Sequence, residues 1–196
     1  MPEKNKPTLT LVGNNPFVIE LGETYLDPGA SAVDAKGVTI SERIDKRGNV
    51  NNHKLGNYSV AYWASDKIKN QSDTLRRTVI VKLNARSLVG YYFKNNTSQG
   101  LEWPSFDVIK SESGDSKNFF FYSVAGLDSM WVNAVLSGDY NELITVPAQN
   151  IIKSGLSYEI SGSGKADEYA KKLDLTFYRK LNGVTDTIKS KYTRVE

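Results

Sequence analysis

The sequence predicts an all-β protein made of two antiparallel domains, a smaller one over residues 7–84 and an eight-stranded meander over residues 85–196. Three observations predict it. Short runs of alternating apolar and polar residues recur along the whole chain between clusters of Gly, Asn, Asp and Pro, the pattern of half-buried strands joined by tight turns. No segment carries the 3.6-residue apolar period of a helix for more than a single turn. The aromatic residues divide unevenly: 5 of the 21 Phe, Tyr and Trp fall in the first 84 residues and 16 after the polar stretch Asn84-Ala85-Arg86-Ser87. Two cores of different composition follow from that split.

Composition excludes several classes. Hydrophobic residues at 39% and charged residues at 24% describe a chain that can bury a core, and no run nears the about 18 consecutive apolar residues of a membrane-spanning helix. With no cysteine, disulfides, thiol nucleophiles, Cys/His zinc clusters and haem attachment are excluded, and the single histidine leaves only His53 for imidazole-based general-base chemistry. The 25 basic and 22 acidic side chains give a net charge of +3 with no concentrated basic stripe, so nucleic acid is not an expected partner.

Taken in order, residues 1–6 are polar and read as a linker. Strands are expected at 8–12, 17–21, 38–44, 57–65 and 74–83, separated by Gly13-Asn14-Asn15-Pro16, Asp27-Pro28-Gly29, Lys46-Arg47-Gly48-Asn49 and Lys69-Asn70-Gln71-Ser72. In the fourth of these, Tyr58, Val60, Tyr62 and Ala64 share one face, with Ser59, Ala61, Trp63 and Ser65 on the other. The second half gives eight more, at 88–94, 106–112, 118–124, 130–136, 142–146, 156–161, 173–180 and 185–194. Turns are expected at Ser113-Gly114-Asp115, Gly126-Leu127-Asp128, Ser137-Gly138-Asp139, Lys153-Ser154-Gly155, Gly162-Ser163-Gly164 and Leu181-Asn182-Gly183, and one helical turn at 166–171. Eight strands with short connections favour an up-and-down meander, closed as a small barrel or folded as a sandwich.

Pro7-Thr8-Leu9-Thr10-Leu11, Gly13, Pro16, Ile19-Glu20-Leu21-Gly22-Glu23-Thr24-Tyr25, Asp27-Pro28-Gly29-Ala30, Gly56-Asn57-Tyr58-Ser59-Val60-Ala61-Tyr62 and Arg77-Thr78-Val79-Ile80-Val81 resemble a bacterial Ig-like domain of the hyalin-repeat-related surface type, covering residues 7–83. The resemblance implies a seven-stranded β-sandwich with a spacer or adhesive role. Where such modules carry an acidic Asp-x-x-Gly-Asp stretch, this chain has Asp34-Ala35-Lys36-Gly37-Val38, so no metal site is assigned. Leu88-Val89-Gly90-Tyr91-Tyr92, Ile144-Thr145-Val146-Pro147-Ala148-Gln149, Tyr158-Glu159-Ile160-Ser161 and Leu173-Asp174-Leu175-Thr176-Phe177-Tyr178 resemble the lipocalin-like β domains of lipoproteins from Gram-negative gut bacteria. An Ig-like module followed by such a domain also resembles an uncharacterised family of their exported lipoproteins.

Chemistry-bearing motifs are few. His53 lies in the polar Asn51-Asn52-His53-Lys54 and reads as a surface residue. Gly162-Ser163-Gly164-Lys165 lacks the glycine and the following Ser or Thr of a phosphate-binding loop, and reads as a turn. The acidic pairs Asp167 with Glu168 and Glu102 with Asp107 are the only footing for a glycosidase, the least favoured class. No catalytic residue and no cofactor is therefore expected. The aromatic residues stand out instead: Trp63, Trp103, Trp131 and Tyr140 are the candidate ligand-binding residues, since a rigid indole or phenol offers an apolar face and a polar handle. Trp103, which precedes Pro104, is expected in extended geometry within a loop. The competing packing roles are an interdomain contact for Trp63 and a place in the barrel filling for Trp131 and 119–121. Asp73-Thr74-Leu75, Asp128-Ser129-Met130 and Asp186-Thr187-Ile188 resemble the O-glycosylation signal of exported proteins in gut anaerobes and mark Thr74, Ser129 and Thr187.

The expectation is thus a non-catalytic, monomeric, exported cell-surface or periplasmic protein, held to the membrane only by a lipid anchor upstream. The Ig-like spacer presents a β domain with a binding surface or small cavity, and glycan is the first ligand. A structural or adhesive module for a surface protein partner is the alternative.

Overall fold

The computed structural model describes residues 6–195, and the chain divides into two compact units, residues 1–81 and 82–196. Of the segment 1–6 expected as a linker, all but Lys6 lies outside the described residues; Lys6 pairs with Asp73 at 3.1 Å.

Six strands build the first unit: β1 (Thr8–Leu11), β2 (Phe17–Glu20), β3 (Ala30–Val33), β4 (Ile44–Arg47), β5 (Gly56–Ala64) and β6 (Leu75–Lys82). They form a two-stranded sheet β1-β3 and a four-stranded sheet β2-β6-β5-β4, the two layers of an Ig-like sandwich. Its core is Ile19, Val60, Tyr62, Val79 and Val81, the face that the alternation in β5 and β6 assigns inward. Among the described residues the strands number six rather than seven. The strand expected at 38–44 is also displaced. Asp34 Oδ1 accepts from the amides of Lys36 and Val38, so the chain turns at once, and Ser41–Arg43 winds into a 3-10 turn before β4 starts. The pairing partner of β1 is instead Ala30–Val33, whose small residues carry little apolar signal.

Arg77 is wholly buried and spans the sandwich. Its guanidinium donates to the carbonyls of Val12 (2.6 Å), Asn14 (2.7 Å) and Gly29 (2.8 Å), satisfying a turn that has no strand partner there. Beside it, Asp27 Oδ1 accepts from the hydroxyls of Tyr62 (2.5 Å) and Tyr25 (3.2 Å) and from the amide of Gly29 (3.0 Å), while Lys46 reaches Oδ2 at 3.1 Å.

The second unit is a closed barrel of eight antiparallel strands: β7 (Gly90–Ser98), β8 (Leu101–Ser111), β9 (Asn118–Phe121), β10 (Val132–Ser137), β11 (Leu143–Lys153), β12 (Leu156–Ala166), β13 (Lys172–Leu181) and β14 (Val184–Arg194). Each strand pairs with its neighbours in sequence, and β14 closes on β7 through Lys189 to Arg194 against Thr97 to Tyr92. The lipocalin-like reading is realised in its closed form. Gln99-Gly100 (φ 49° and 79°), Ser154-Gly155 (51° and 77°) and Asn182-Gly183 (49° and 83°) make the hairpins of one barrel end, each with two positive φ angles as a type I′ turn requires.

Two expected turns are not turns as drawn. Gly162-Ser163-Gly164 lies inside β12, where a Cβ on Gly162 would stand 2.6 Å from the Thr176 carbonyl and one on Gly164 2.1 Å from that of Asp174. These glycines let β12 bend closely against β13. Residues 167–171 form no helical turn; Asp167 Oδ1 accepts from the amides of Lys171 (2.7 Å) and Lys172 (3.0 Å) and caps a tight reversal.

Aromatic rings fill the barrel. Tyr92, Phe119, Phe121, Phe177 and Tyr192 are all at most 1% exposed, with Phe121 edge-on to both Phe119 (5.2 Å) and Phe177 (5.9 Å). Residues 82–89 run across the end opposite the hairpins: Leu83, Ala85 and Leu88 are buried, Leu83 N–H donates to Tyr140 O (2.7 Å), and Arg194 donates to Ser87 O (2.9 Å) and Val89 O (2.7 Å). The segment is part of the barrel core and not a linker.

Candidate functional site

The strongest electrostatic feature lies inside the barrel. Lys94 on β7 and Asp107 on β8 are 3% and 0% exposed and 3.3 Å apart. Asp107 accepts five hydrogen bonds: Oδ1 from the amides of Val108 (2.8 Å), Tyr122 (3.0 Å) and Ser123 (2.8 Å), Oδ2 from Lys94 and from the Tyr192 hydroxyl (2.9 Å). Lys94 also donates to Ser123 O. Burial pushes the Asp107 carboxyl up and the Lys94 ammonium down, each opposed by the other's charge; burial and the adjacent Asp107 push the Tyr192 phenol well up. Every partner is consumed. The network staples the loop at 122–131 onto the barrel wall, with Arg179 donating to Ala125 O (2.8 Å) as a further staple. It is a fastening, not an exposed acid–base pair.

Higher in the barrel, Ser190 donates to Asn96 Oδ1 (2.7 Å) and Asn96 Nδ2 donates to Ser105 Oγ (2.9 Å), which satisfies that polar layer internally. The β11 to β12 register shifts between Val146 and Gln149, and on the other side of β11 the pairing with β10 ends at Val135 and Thr145, beyond which Gln149 replaces the missing backbone rungs. Its Oε1 accepts from Asn133 N and its Nε2 donates to Asn133 O, both at 3.0 Å.

The outer wall is different. With Tyr92, Asp107, Ile109, Phe121 and Val132 buried inward, the alternating partners Tyr91, Phe93, Phe106, Val108, Phe120, Tyr122 and Trp131 face outward. Register places several side by side. Tyr91 pairs with Val108 and Phe93 with Phe106, and Tyr122 N–H donates to Val108 O (3.0 Å). The Tyr122 and Trp131 rings are 4.7 Å apart, those of Phe93 and Phe106 5.5 Å. Tyr91 and Phe106 are each 69% exposed and Trp131 is 41% exposed. Trp131, Phe120, Lys110, Ser111 and Glu112 line a cleft of about 360 Å³, and the Lys110 ammonium stands 5.0 Å from the Trp131 ring centroid. Side chains on paired strands cost little further ordering on binding, so this face is preorganised.

The four aromatic residues singled out in sequence do not converge. Trp131 lies on this outer wall. Trp103 is within β8 rather than in a loop, half-buried on the row that leads through Ser105 to Asp107; the Gln99-Gly100 hairpin extends β7 and β8 past it. Tyr140 sits half-buried in the turn between β10 and β11, its backbone N–H on Glu142 Oε2 (3.0 Å). Trp63 belongs to the other unit, half-buried on the β5 face away from the core and paired in register with Asp45. Of 119–121 only Phe119 and Phe121 fill the barrel. Thr74, Ser129, Thr187 and His53 are all exposed.

The acidic pairs offered for glycoside hydrolysis are not paired in space as a glycosidase needs. Glu102 faces solvent while Asp107, on the opposite face of the same strand, is sealed in the core. Asp167 is the turn cap described above. Sequence reasoning missed Lys94, Asp107 with Tyr192, and Lys110; the signal available was a lysine and an asparagine in alternation with Tyr92 on one face of β7.

A second, polar pocket of about 330 Å³ lies in the Ig-like unit against Tyr25, Asp27, Lys46 and Asn52. Burial raises the Asp27 carboxyl, but the hydrogen bonds from Tyr62 and Gly29 and the Lys46 ammonium outweigh it and hold the group at about 2. Among the described residues no three His, Cys, Asp or Glu side chains are grouped to hold a metal ion.

Residues 9–81 match the family model described as the Ig-like domain of bacterial surface proteins. A search of curated proteins returns no match. Among solved structures, the chain is similar to a lipoprotein from Bacteroides thetaiotaomicron, at 20% identity and a TM-score of 0.40 over 96% of this chain and 100% of that one. It is also similar to a Bacteroides fragilis protein described as an outer membrane protein, at 10% identity and a TM-score of 0.35, over 87% and 82% of the two chains.

Proposed function

Residues 9–81 being an Ig-like domain of the bacterial surface-protein family, we propose that the chain is a non-catalytic, exported surface module in which that domain is the spacer and the outer wall of the barrel binds a glycan. A lipid anchor in the precursor completes this reading. The observation that carries the glycan assignment is the aromatic cleft at Trp131. A half-exposed indole braced by Tyr122 and bordered by Phe120 presents a rigid apolar edge beside polar Ser111, Glu112 and Lys110, the mixture that a sugar's C–H face and hydroxyls need. The packed interior supports the same choice of surface, because rings and satisfied polar groups already occupy the centre of the barrel.

Intrinsic tryptophan fluorescence on a polysaccharide panel tests it. Quenching should survive Trp63→Phe and Trp103→Phe and vanish in Trp131→Ala. A response retained in Trp131→Ala, or no response to any polysaccharide alongside a stable protein partner, refutes the reading and leaves the adhesive alternative. Thr74, Ser129 and Thr187 are proposed as modification positions, and an unmodified intact mass for protein from its native host removes that part.

A further inference from the structure

Resting on the glycan reading above, we propose that the ligand is a carboxylate-bearing oligosaccharide lying across strands β7 to β10, its carboxylate on the Lys110 ammonium and its rings along Trp131, Tyr122 and Tyr91. Lys110 carries the acidic part of the argument. Among the described residues its ammonium has no carboxylate within ion-pair distance, and it stands 5.0 Å from the Trp131 ring centroid. Lys94, Lys180 and Lys46 are paired with Asp107, Glu159 and Asp27 respectively. Glu112 lines the same cleft, yet stands two residues further along the chain, about 7 Å away in extended geometry, and forms no ion pair with Lys110. A cation resting on an exposed indole is held by only about 0.5–1 kcal/mol. It is therefore free to turn toward a carboxylate, which offers a stronger, charge-assisted hydrogen bond.

The wall's register supplies the length. Tyr91 on β7 and Val108 on β8 stand at one level with Tyr122, just past the end of β9, and Trp131, just before β10, linked by the Tyr91 to Val108 pairing, the Tyr122 N–H to Val108 O bond and the contact between the Tyr122 and Trp131 rings. Three strand spacings make that row about 14 Å long. Phe93 and Phe106 flank it at the next level. A monosaccharide fills the Trp131 cleft alone; an extended chain also covers Tyr91 and Phe106, each 69% exposed. The Lys110 cation at one end sets the chemistry: an acidic group beside the indole, apolar ring faces beyond it.

The test uses the intact chain and titrates it calorimetrically with oligogalacturonates, alginate oligomers and chondroitin fragments, each beside its carboxyl-reduced neutral counterpart. Expected is saturable binding of at least one acidic series, weakened about tenfold or more by carboxyl reduction and equally by Lys110→Gln, and abolished by Trp131→Ala. Tyr91→Ala with Phe106→Ala should weaken the long oligomers and leave the disaccharide of that series unchanged. Unaltered melting curves of these exposed-site variants keep a folding defect from imitating the result. Equal binding of acidic and neutral series with Lys110→Gln unaffected overturns this inference while the glycan reading stands. Disaccharides and long oligomers losing affinity alike overturns the row. No saccharide bound, with a folded protein captured on this face instead, overturns both.

Discussion

The interior network allows a quantitative test of what holds the barrel closed. Asp107→Ala removes one member of a pair that is 0–3% exposed and takes an acceptor from five groups, the Lys94 ammonium, the Tyr192 hydroxyl and the amides of Val108, Tyr122 and Ser123, of which Tyr122 keeps the Val108 carbonyl and Lys94 the Ser123 carbonyl. Breaking a buried ion pair from one side costs about 3–5 kcal/mol, most of it the isolated charge left behind. At about 4 °C per kcal/mol for a domain of this size, the barrel transition should fall by roughly 12–20 °C. Lys94→Met alone leaves the carboxylate unpaired and should cost a similar amount. The double variant Lys94→Met with Asp107→Asn is the informative one, because the amide keeps an acceptor for the Tyr122 and Ser123 N–H groups and no charge remains. It should be more stable than Lys94→Met or Asp107→Asn alone, its cost falling more than about 2 kcal/mol short of the sum of those two. Differential scanning calorimetry of the intact chain reads the transitions, and hydrogen exchange at 122–131 reads the loop, which should lose protection in Asp107→Ala and keep it in the double variant. Additive costs, or undiminished protection in Asp107→Ala, would refute the idea that this pair fastens the loop.

Three further outcomes are expected. Gly164→Val places a Cβ 2.1 Å from the Asp174 carbonyl and 2.6 Å from the Leu175 side chain, so this variant should fail to give soluble barrel, whereas Gly155→Ala meets no atom within 4 Å and should cost only about 1 kcal/mol through its φ of 77°; expression yield and melting separate them. Asp27, held at about 2 against 3.8 unfolded, lends the Ig-like unit on the order of 2 kcal/mol that is fully present above about pH 4 and lost as pH falls toward 2. Acid titration of stability should show that loss in the wild type and not in Asp27→Asn. A barrel chain starting at residue 82 should fold, while one starting at Gly90 should not, since Leu83 and Leu88, 1% and 0% exposed, each contribute about 1.5–3 kcal/mol of burial; circular dichroism of the two fragments decides it.

The parts of this fold that were legible in sequence are those fixed by local rules. Asn182-Gly183 announces its hairpin because only residues tolerant of positive φ make a type I′ turn, and the alternation in β5 and β6 identifies the face that becomes the core. Gly162 and Gly164 look the same in sequence as turn glycines, but tertiary closeness to β13 is what requires them, and that closeness exists only once the barrel has closed. β3 was missed because Ala30–Val33 gains its place from pairing with β1, not from its own apolar content. For Trp131 the sequence left a ligand-binding place and a place in the barrel filling both open, and its 41% exposure puts it on the outer wall. Its neighbours were not legible: Lys110 and Tyr122 reach it from other strands, and cross-strand register is a long-range quantity. The pairing of Lys94 with Asp107 was hidden for the same reason.

The outer wall as the binding face can be tested most directly by mapping amide and side-chain NMR shifts of the intact chain during titration with an oligosaccharide that quenches its fluorescence. Expected are perturbations gathered on Tyr91, Val108, Lys110, Phe120, Tyr122 and Trp131, with Asn96, Phe177 and Tyr192 inside the barrel unmoved. Perturbations centred on those interior residues, or on the pocket beside Asp27 in the Ig-like unit, would contradict it.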